Sequence, residues 1–184
     1  AASDVYKRQE PHIHNVDIDV LNIEAQIAFA TENAIDLTVI GPEAPLVAGA
    51  VDAFNAAGLR CFGPRKLAAQ LEGSKSFTKD FLQRHQIPTA VYETFTETEP
   101  ALAFAKTRSL PIVIKADGLA AGKGVVIAES FEQVEETVRD MLSGNAFGEA
   151  GARIVIEDFL EGEEASFIVI ADGSNFLPFA SCQD

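Results

Sequence analysis

The sequence predicts an α/β protein in two parts: a partial parallel sheet covered by helices, followed by a truncated α+β unit with antiparallel pairing. Three observations carry this. A strand, helix, strand rhythm runs from Asp36 to Gly63, the pattern of parallel strands joined by crossover helices. The stretch Ile112 to Ala128 reads IVIKADGLAAGKGVVIA, two β-branched runs around a glycine-rich loop, which predicts an antiparallel hairpin. The Pro88 region breaks the helical pattern between the two.

In chain order, a helix is expected from Asn22 to Asn33, where Ile23, Ile27, Ala30 and the adjoining Ala34 recur at helical spacing, and Asp36 to Gly41 reads as a short buried strand. Pro45 stands at an expected first helical position, Val47, Ala50, Val51 and Phe54 form a stripe, and Gly58 is the stop. Leu59 to Gly63 is a second short strand. Ser74 to His85 places Phe77, Phe81 and Leu82 on one helical face. Beyond Pro88 follow a strand at Val91 to Phe95, a helix at Glu97 to Thr107, and the hairpin of Ile112–Lys115 with Val125–Ala128. A helix at Ser130 to Leu142 opens with Ser130 and Gln133 in capping-box spacing. Strands at Arg153 to Ile156 and Ala165 to Ala171, a turn at Asp172-Gly173 and a last strand at Phe176 to Ala180 complete the reading.

Composition narrows the function classes. With 47% apolar and 23% charged residues in 184, the chain has the makeup of a folded globular protein. Its formal charge of -14 opposes nucleic acid and anionic lipid, and no basic patch offsets it. Cys61 and Cys182 have no metal-ligand spacing, which points to a reducing compartment and to no zinc site. No leader and no apolar run of membrane-spanning length is visible, so a cytoplasmic protein without a membrane partner is expected. The first residues have neither helical nor strand period and read as a non-native scar, and the apolar run at the other end simply stops, as in a fragment.

An anionic ligand needs local cations in so acidic a chain, which makes the lysines informative. Gly118, Gly122 and Gly124 let backbone amides approach a ligand closely, and Lys115 and Lys123 supply charge where phosphate oxygens would sit. This is not a Walker loop: three residues rather than four separate Gly118 from Gly122, and no serine or threonine follows the lysine. VVIA resumes strand character at once, so the loop is expected to fold over the ligand as a lid. Ser74-Lys75 opens an amphipathic helix, where a lysine at the positive end calls for an anion. Lys79, one turn on, is expected to point to solvent. The run Ile154 to Leu160 leads from a strand into a connector whose main-chain groups suit an adenine edge. Glu163 and Glu164 offer acceptors for ribose hydroxyls, although acid pairs are commonly solvated.

The order SK-x-F-TK, IVIKADGLAAGKGV, IVIEDFLEGEEASF is similar to the ATP-grasp fold. Together with GPEAPL at Gly41 to Leu46, LEGSK and GNAFG, it resembles the glycinamide ribonucleotide synthetase (phosphoribosylamine–glycine ligase) family, over Asn15 to Asp184. With residues 1–10 read as scar, the resemblance implies 11–64 as a partial N-terminal substrate domain, 65–88 as linker and first ATP-grasp helix, and 89–184 as the ATP-grasp domain, truncated at its C-terminus. It implies that Lys75 and Lys115 contact the nucleotide phosphates beneath a mobile loop from Gly118 to Gly124. Glu157 and Leu160 would face adenine, largely through main-chain groups, Glu164 would hold the ribose hydroxyls, and Glu43 would line the phosphoribosylamine pocket.

The implied reaction joins glycine to 5-phosphoribosylamine with ATP and a divalent cation, Mg2+ or Mn2+, in purine biosynthesis. The glycine carboxylate attacks the γ-phosphate, and the amine then displaces phosphate from glycyl phosphate. A monomer acting on small molecules is expected. The family's N-terminal phosphate loop has no counterpart here, and its metal ligands would lie beyond Asp184, so the 184 residues alone are expected to turn over poorly or not at all. Another ATP-grasp ligase or carboxylase, a non-catalytic nucleotide-binding module and an α/β domain without a site remain as alternatives.

Overall fold

The computed structural model describes residues 12–120, 124–143 and 152–183. Gly122, Lys123, the residues taken as scar and the GNAFG segment lie outside the described residues.

The N-terminal part begins with helix α1 (Ile23–Glu32), whose N-cap Asn22 side chain accepts the Ala25 amide at 3.1 Å. Strand β1 (Thr38–Val39) pairs parallel with β2 (Cys61–Phe62), as the crossover rhythm requires. Between them the predicted single helix is two: α2 (Glu43–Ala48) and α3 (Ala50–Ala56). The break is at Gly49, whose φ of 101° is left-handed and whose amide donates to Pro45 and Leu46 carbonyls at 3.1 and 3.0 Å, a conformation that favours glycine. Helix α2 also starts at Glu43, two residues before Pro45.

Helix α4 (Lys66–Gly73), which the periodicity did not identify, follows β2. Its first amide, on Lys66, is capped from a distance: Asp52 Oδ2 on α3 accepts it at 2.7 Å. Leu46, Val51 and Ala69 form a small core between α2, α3 and α4. The strand expected to be buried is half open, with Val39 63% exposed, and Phe62 on its partner β2 is 46% exposed. Apolar composition marks a strand but cannot say whether a second layer packs on it.

Helix α5 (Lys75–Arg84) leads into the second part. Its sheet has the order β3 (Tyr92–Phe95), β6 (Ile154–Asp158), β4 (Ile112–Ala116), β5 (Val125–Ala128), all neighbours antiparallel. Helices α6 (Thr98–Ala105) and α7 (Phe131–Leu142) cover one face. Ala101, Leu102 and Ala105 of α6 and Val134, Val138 and Met141 of α7 pack on Ile112, Ile114, Ile154 and Ile156. Helix α7 begins as expected, with Ser130 Oγ accepting the Gln133 amide at 3.3 Å. Because side chains alternate along a strand, burying those isoleucines on one face turns Val113, Lys115, Val155 and Glu157 to the other. The hairpin of β7 (Val169–Ala171) and β8 (Phe176–Pro178) closes the described chain with every residue exposed.

Candidate functional site

The site lies where that second face meets the start of α5. In antiparallel register Val113 stands opposite Glu157 and Lys115 opposite Val155, so Lys115 and Glu157 are diagonal neighbours on one face. Both lysines of a clamp reach it: Lys75 from the first residue of α5 and Lys115 from β4, lining one cleft of ≈ 250 Å³ with Leu71, Glu72, Thr78, Lys79 and Val125. A neighbouring cleft of ≈ 460 Å³ shares Glu72, Lys75 and Val125 and adds Glu43, Ala44, Leu119, Ala120 and Gly124. Glu43 therefore faces the same opening as Lys75 and the root of the glycine loop. Burial is the main force holding the Lys75 ammonium below its ordinary pKa. The charges of Asp117 and Glu72 oppose it, and Lys115 adds to it.

The Lys75 ammonium donates to the Gly118 carbonyl at 3.1 Å, tying the helix start to the loop root. The anion expected at the positive end of α5 is present within the chain. Asp117 Oδ1 accepts the Ser76 amide at 2.7 Å and the Ser74 hydroxyl at 3.0 Å, and Ser74 Oγ in turn accepts the Phe77 amide at 3.2 Å. Arg153 lies 3.7 Å from the same carboxylate. Helix end and carboxylate neutralise each other, which leaves the lysine ammoniums as the cations that face the cleft.

Gly124 sits at the far root of the loop, where its carbonyl accepts the Ala116 amide at 2.8 Å. A Cβ there would lie 2.6 Å from Ala120 Cβ and 3.2 Å from Ala116 Cβ, so the loop closes on itself only because this residue has no side chain. Leu160 and Glu164 are exposed, Leu160 by 68%, and neither lines the two clefts.

Sequence reading missed Lys79. Its ammonium does not point to solvent: it forms a salt bridge with Glu157, which also pairs with Lys115, and it donates to Thr89 Oγ1 at 2.6 Å. Helical spacing from Lys75 was the available signal, since residues one turn apart share a face. Among the described residues no group of three or more His, Cys, Asp or Glu side chains is placed to hold a metal ion, and no helix is long and apolar enough to cross a membrane.

An antiparallel sheet whose Lys115 converges with Lys75, from a helix start, on one cleft beside the root of a glycine loop is the arrangement of an ATP-grasp domain. The model for the phosphoribosylglycinamide synthetase ATP-grasp (A) domain matches residues 73–184, and that for the N domain of the same synthetase matches residues 5–72. The chain belongs to the phosphoribosylglycinamide synthetase family. It is 64% identical over 175 residues to a phosphoribosylamine–glycine ligase of Vibrio parahaemolyticus, an alignment covering 95% of this chain and 41% of that protein. The chain thus spans about two fifths of the length of the curated relatives it matches. A solved phosphoribosylamine–glycine ligase from Thermotoga maritima superposes with TM-score 0.71 at 34% identity, over 83% of this chain and 38% of that one. A biotin carboxylase from Campylobacter jejuni shares the fold, with TM-score 0.72 at 23% identity over 86% of this chain and 36% of that one.

Proposed function

We propose that the whole protein is an ATP-dependent ligase that joins glycine to 5-phosphoribosylamine through glycyl phosphate. The observation that carries this reading is the convergence of Lys75 and Lys115, from a helix start and a strand, on one cleft beside Gly118 and Gly124. Two ammoniums and a loop rich in backbone amides suit a polyphosphate, and the clefts have room for one. In this reading Lys75 and Lys115 hold the phosphates, and Gly118, Gly122, Lys123 and Gly124 form the cover. Glu157 and Leu160 face adenine largely through their main-chain groups, Glu164 takes the ribose hydroxyls and Glu43 lines the phosphoribosylamine side. Membership in the family and the identity to the Vibrio protein support these assignments.

A carboxylate is a poor electrophile at neutral pH, so its phosphorylation supplies the leaving group that the amine displaces. The chain's own part is to align the glycine carboxylate with the γ-phosphate and to neutralise the charge that spreads over the phosphate oxygens. A closed cover also keeps water from the acyl phosphate. A divalent cation, Mg2+ or Mn2+, would share the neutralisation. A monomeric, cytoplasmic enzyme of purine biosynthesis is the corresponding cellular assignment.

The test uses the protein expressed from its full reading frame. ADP release that requires both glycine and 5-phosphoribosylamine is expected. ADP release driven by another carboxylate, with glycine inert, would transfer the site to a different ligase or carboxylase.

A further inference from the structure

We propose that Lys79 is a positioning residue: it holds the Glu157 carboxylate as a permanent counter-cation and so frees Lys115 to serve the nucleotide phosphates. This rests on the nucleotide reading of the cleft. It concerns a lysine that neither motif spacing nor that reading assigns to the ligand.

The geometry is asymmetric. Glu157 is buried, with its side chain 8% exposed, between two ammoniums on different elements: Lys79 on α5, 12% exposed, and Lys115 on β4, 27% exposed. Lys79 is fixed on three sides, by Glu157, by Thr89 Oγ1 at 2.6 Å and by the Tyr92 ring, whose centroid lies 5.6 Å from the ammonium. Tyr92 stands directly opposite Glu157 in the β3–β6 register, so β3 builds part of the Lys79 seat. Among the described residues Lys115 has no polar partner besides Glu157. It is also the more exposed lysine, and it shares its cleft with Lys75.

Two cations on one anion leave one positive charge in excess, and the loosely held cation is the one at the mouth. When phosphate oxygens draw Lys115 away, Glu157 remains paired because Lys79 does not move. Without Lys79 the same departure would strand a buried carboxylate, which is costly. Glu157 would then compete with phosphate for Lys115. Lys79 thus acts on the ligand through Glu157 and Lys115 and need not touch it.

The experiment is titration calorimetry of a non-hydrolysable ATP analogue with Mg2+ into the protein made from its full reading frame, with thermal melting of each variant alongside. Lys79→Met is expected to weaken binding about tenfold or more, the scale of a hydrogen bond to a charged group, and Lys79→Arg to retain most of it. Lys79→Gln serves in the same role if the methionine variant does not fold. The decisive variant is the double Lys79→Met/Glu157→Gln. With the competing carboxylate gone, Lys115 is released and affinity is expected to return to within about threefold of the unmodified protein.

A double variant as weak as Lys79→Met, or a Lys79→Met protein that binds normally, overturns the proposal. An unmodified protein that binds no analogue fails the nucleotide reading itself, and the proposal falls with it. Binding by the unmodified protein together with no rescue overturns only the role of Lys79.

Discussion

Asp117 Oδ1 lies 2.7 Å from the backbone nitrogen of Ser76, so a residue at the end of a strand caps a helix that begins far upstream in the chain. The same carboxylate fixes Ser74, and the Asp117 carbonyl accepts the Lys75 amide at 3.1 Å. The origin of the α5 lysine and the root of the glycine loop are therefore one rigid junction. This relation, rather than either motif alone, sets the distance between Lys75 and Lys115.

Asp117→Ala leaves the Ser76 amide and the Ser74 hydroxyl without their partner in a largely buried setting. It is expected to cost about 1–3 kcal/mol, read as a lower urea midpoint at unchanged slope. Asp117→Asn keeps an acceptor and is expected to lose less. Equal losses for the two variants would mean that charge at the helix end, and not the hydrogen bonds, holds the junction.

Gly124→Ala tests the loop root. The added methyl meets Ala120 and Ala116 at 2.6 and 3.2 Å, and neither neighbour can rotate away. A loss of about 1–3 kcal/mol in thermal stability is expected from this overpacking, with weaker binding of an ATP analogue. Unchanged melting together with unchanged binding would show that the root is loose.

Ile156→Ala tests the core that orients the site. Ile156 is fully buried beneath α6 and α7, and its neighbour Glu157 turns towards Lys79 and Lys115 because Ile156 faces the core. The substitution is expected to cost about 2–5 kcal/mol, measured by urea unfolding. A cost below 1 kcal/mol would contradict the packing described.

The β7–β8 turn supplies a pH dependence. Asp172 accepts the Asn175 and Ser174 amides at 2.7 and 2.8 Å, and these hydrogen bonds, Asn175 first, hold its carboxyl down to about 2. A carboxylate depressed in the folded state stabilises it above the ordinary aspartate value of about 4. That stabilisation fades as the pH falls below that value and is gone once the pH has passed through about 2. The protection of the Ala171 and Phe176 amides, taken against the intrinsic exchange rate at each pH, is therefore expected to fall over that acidic window and to lose this dependence in Asp172→Asn. An unchanged acid profile in that variant would assign the effect elsewhere.

What the sequence made legible was local. The α5 start at Ser74-Lys75, the β4–β5 hairpin and the Ser130 cap are written in residues close together in the chain, where capping, periodicity and turn chemistry act. The roles of Asp117 and Lys79 were not legible, because their partners Ser76, Thr89, Tyr92 and Glu157 come from other elements brought close only by the fold. The break at Gly49 was hidden by an apolar stripe that continues across it from Val47 to Val51. Val39 shows the converse: its strand composition marks a strand but not a buried one.

A crystal structure of the protein from its full reading frame with ADP and Mg2+ tests the clamp most directly. The diphosphate is expected between the Lys75 and Lys115 ammoniums, beside Gly118 and Gly124, with Glu157 still paired to Lys79. A diphosphate bound elsewhere, with both lysines in their present contacts, would contradict it.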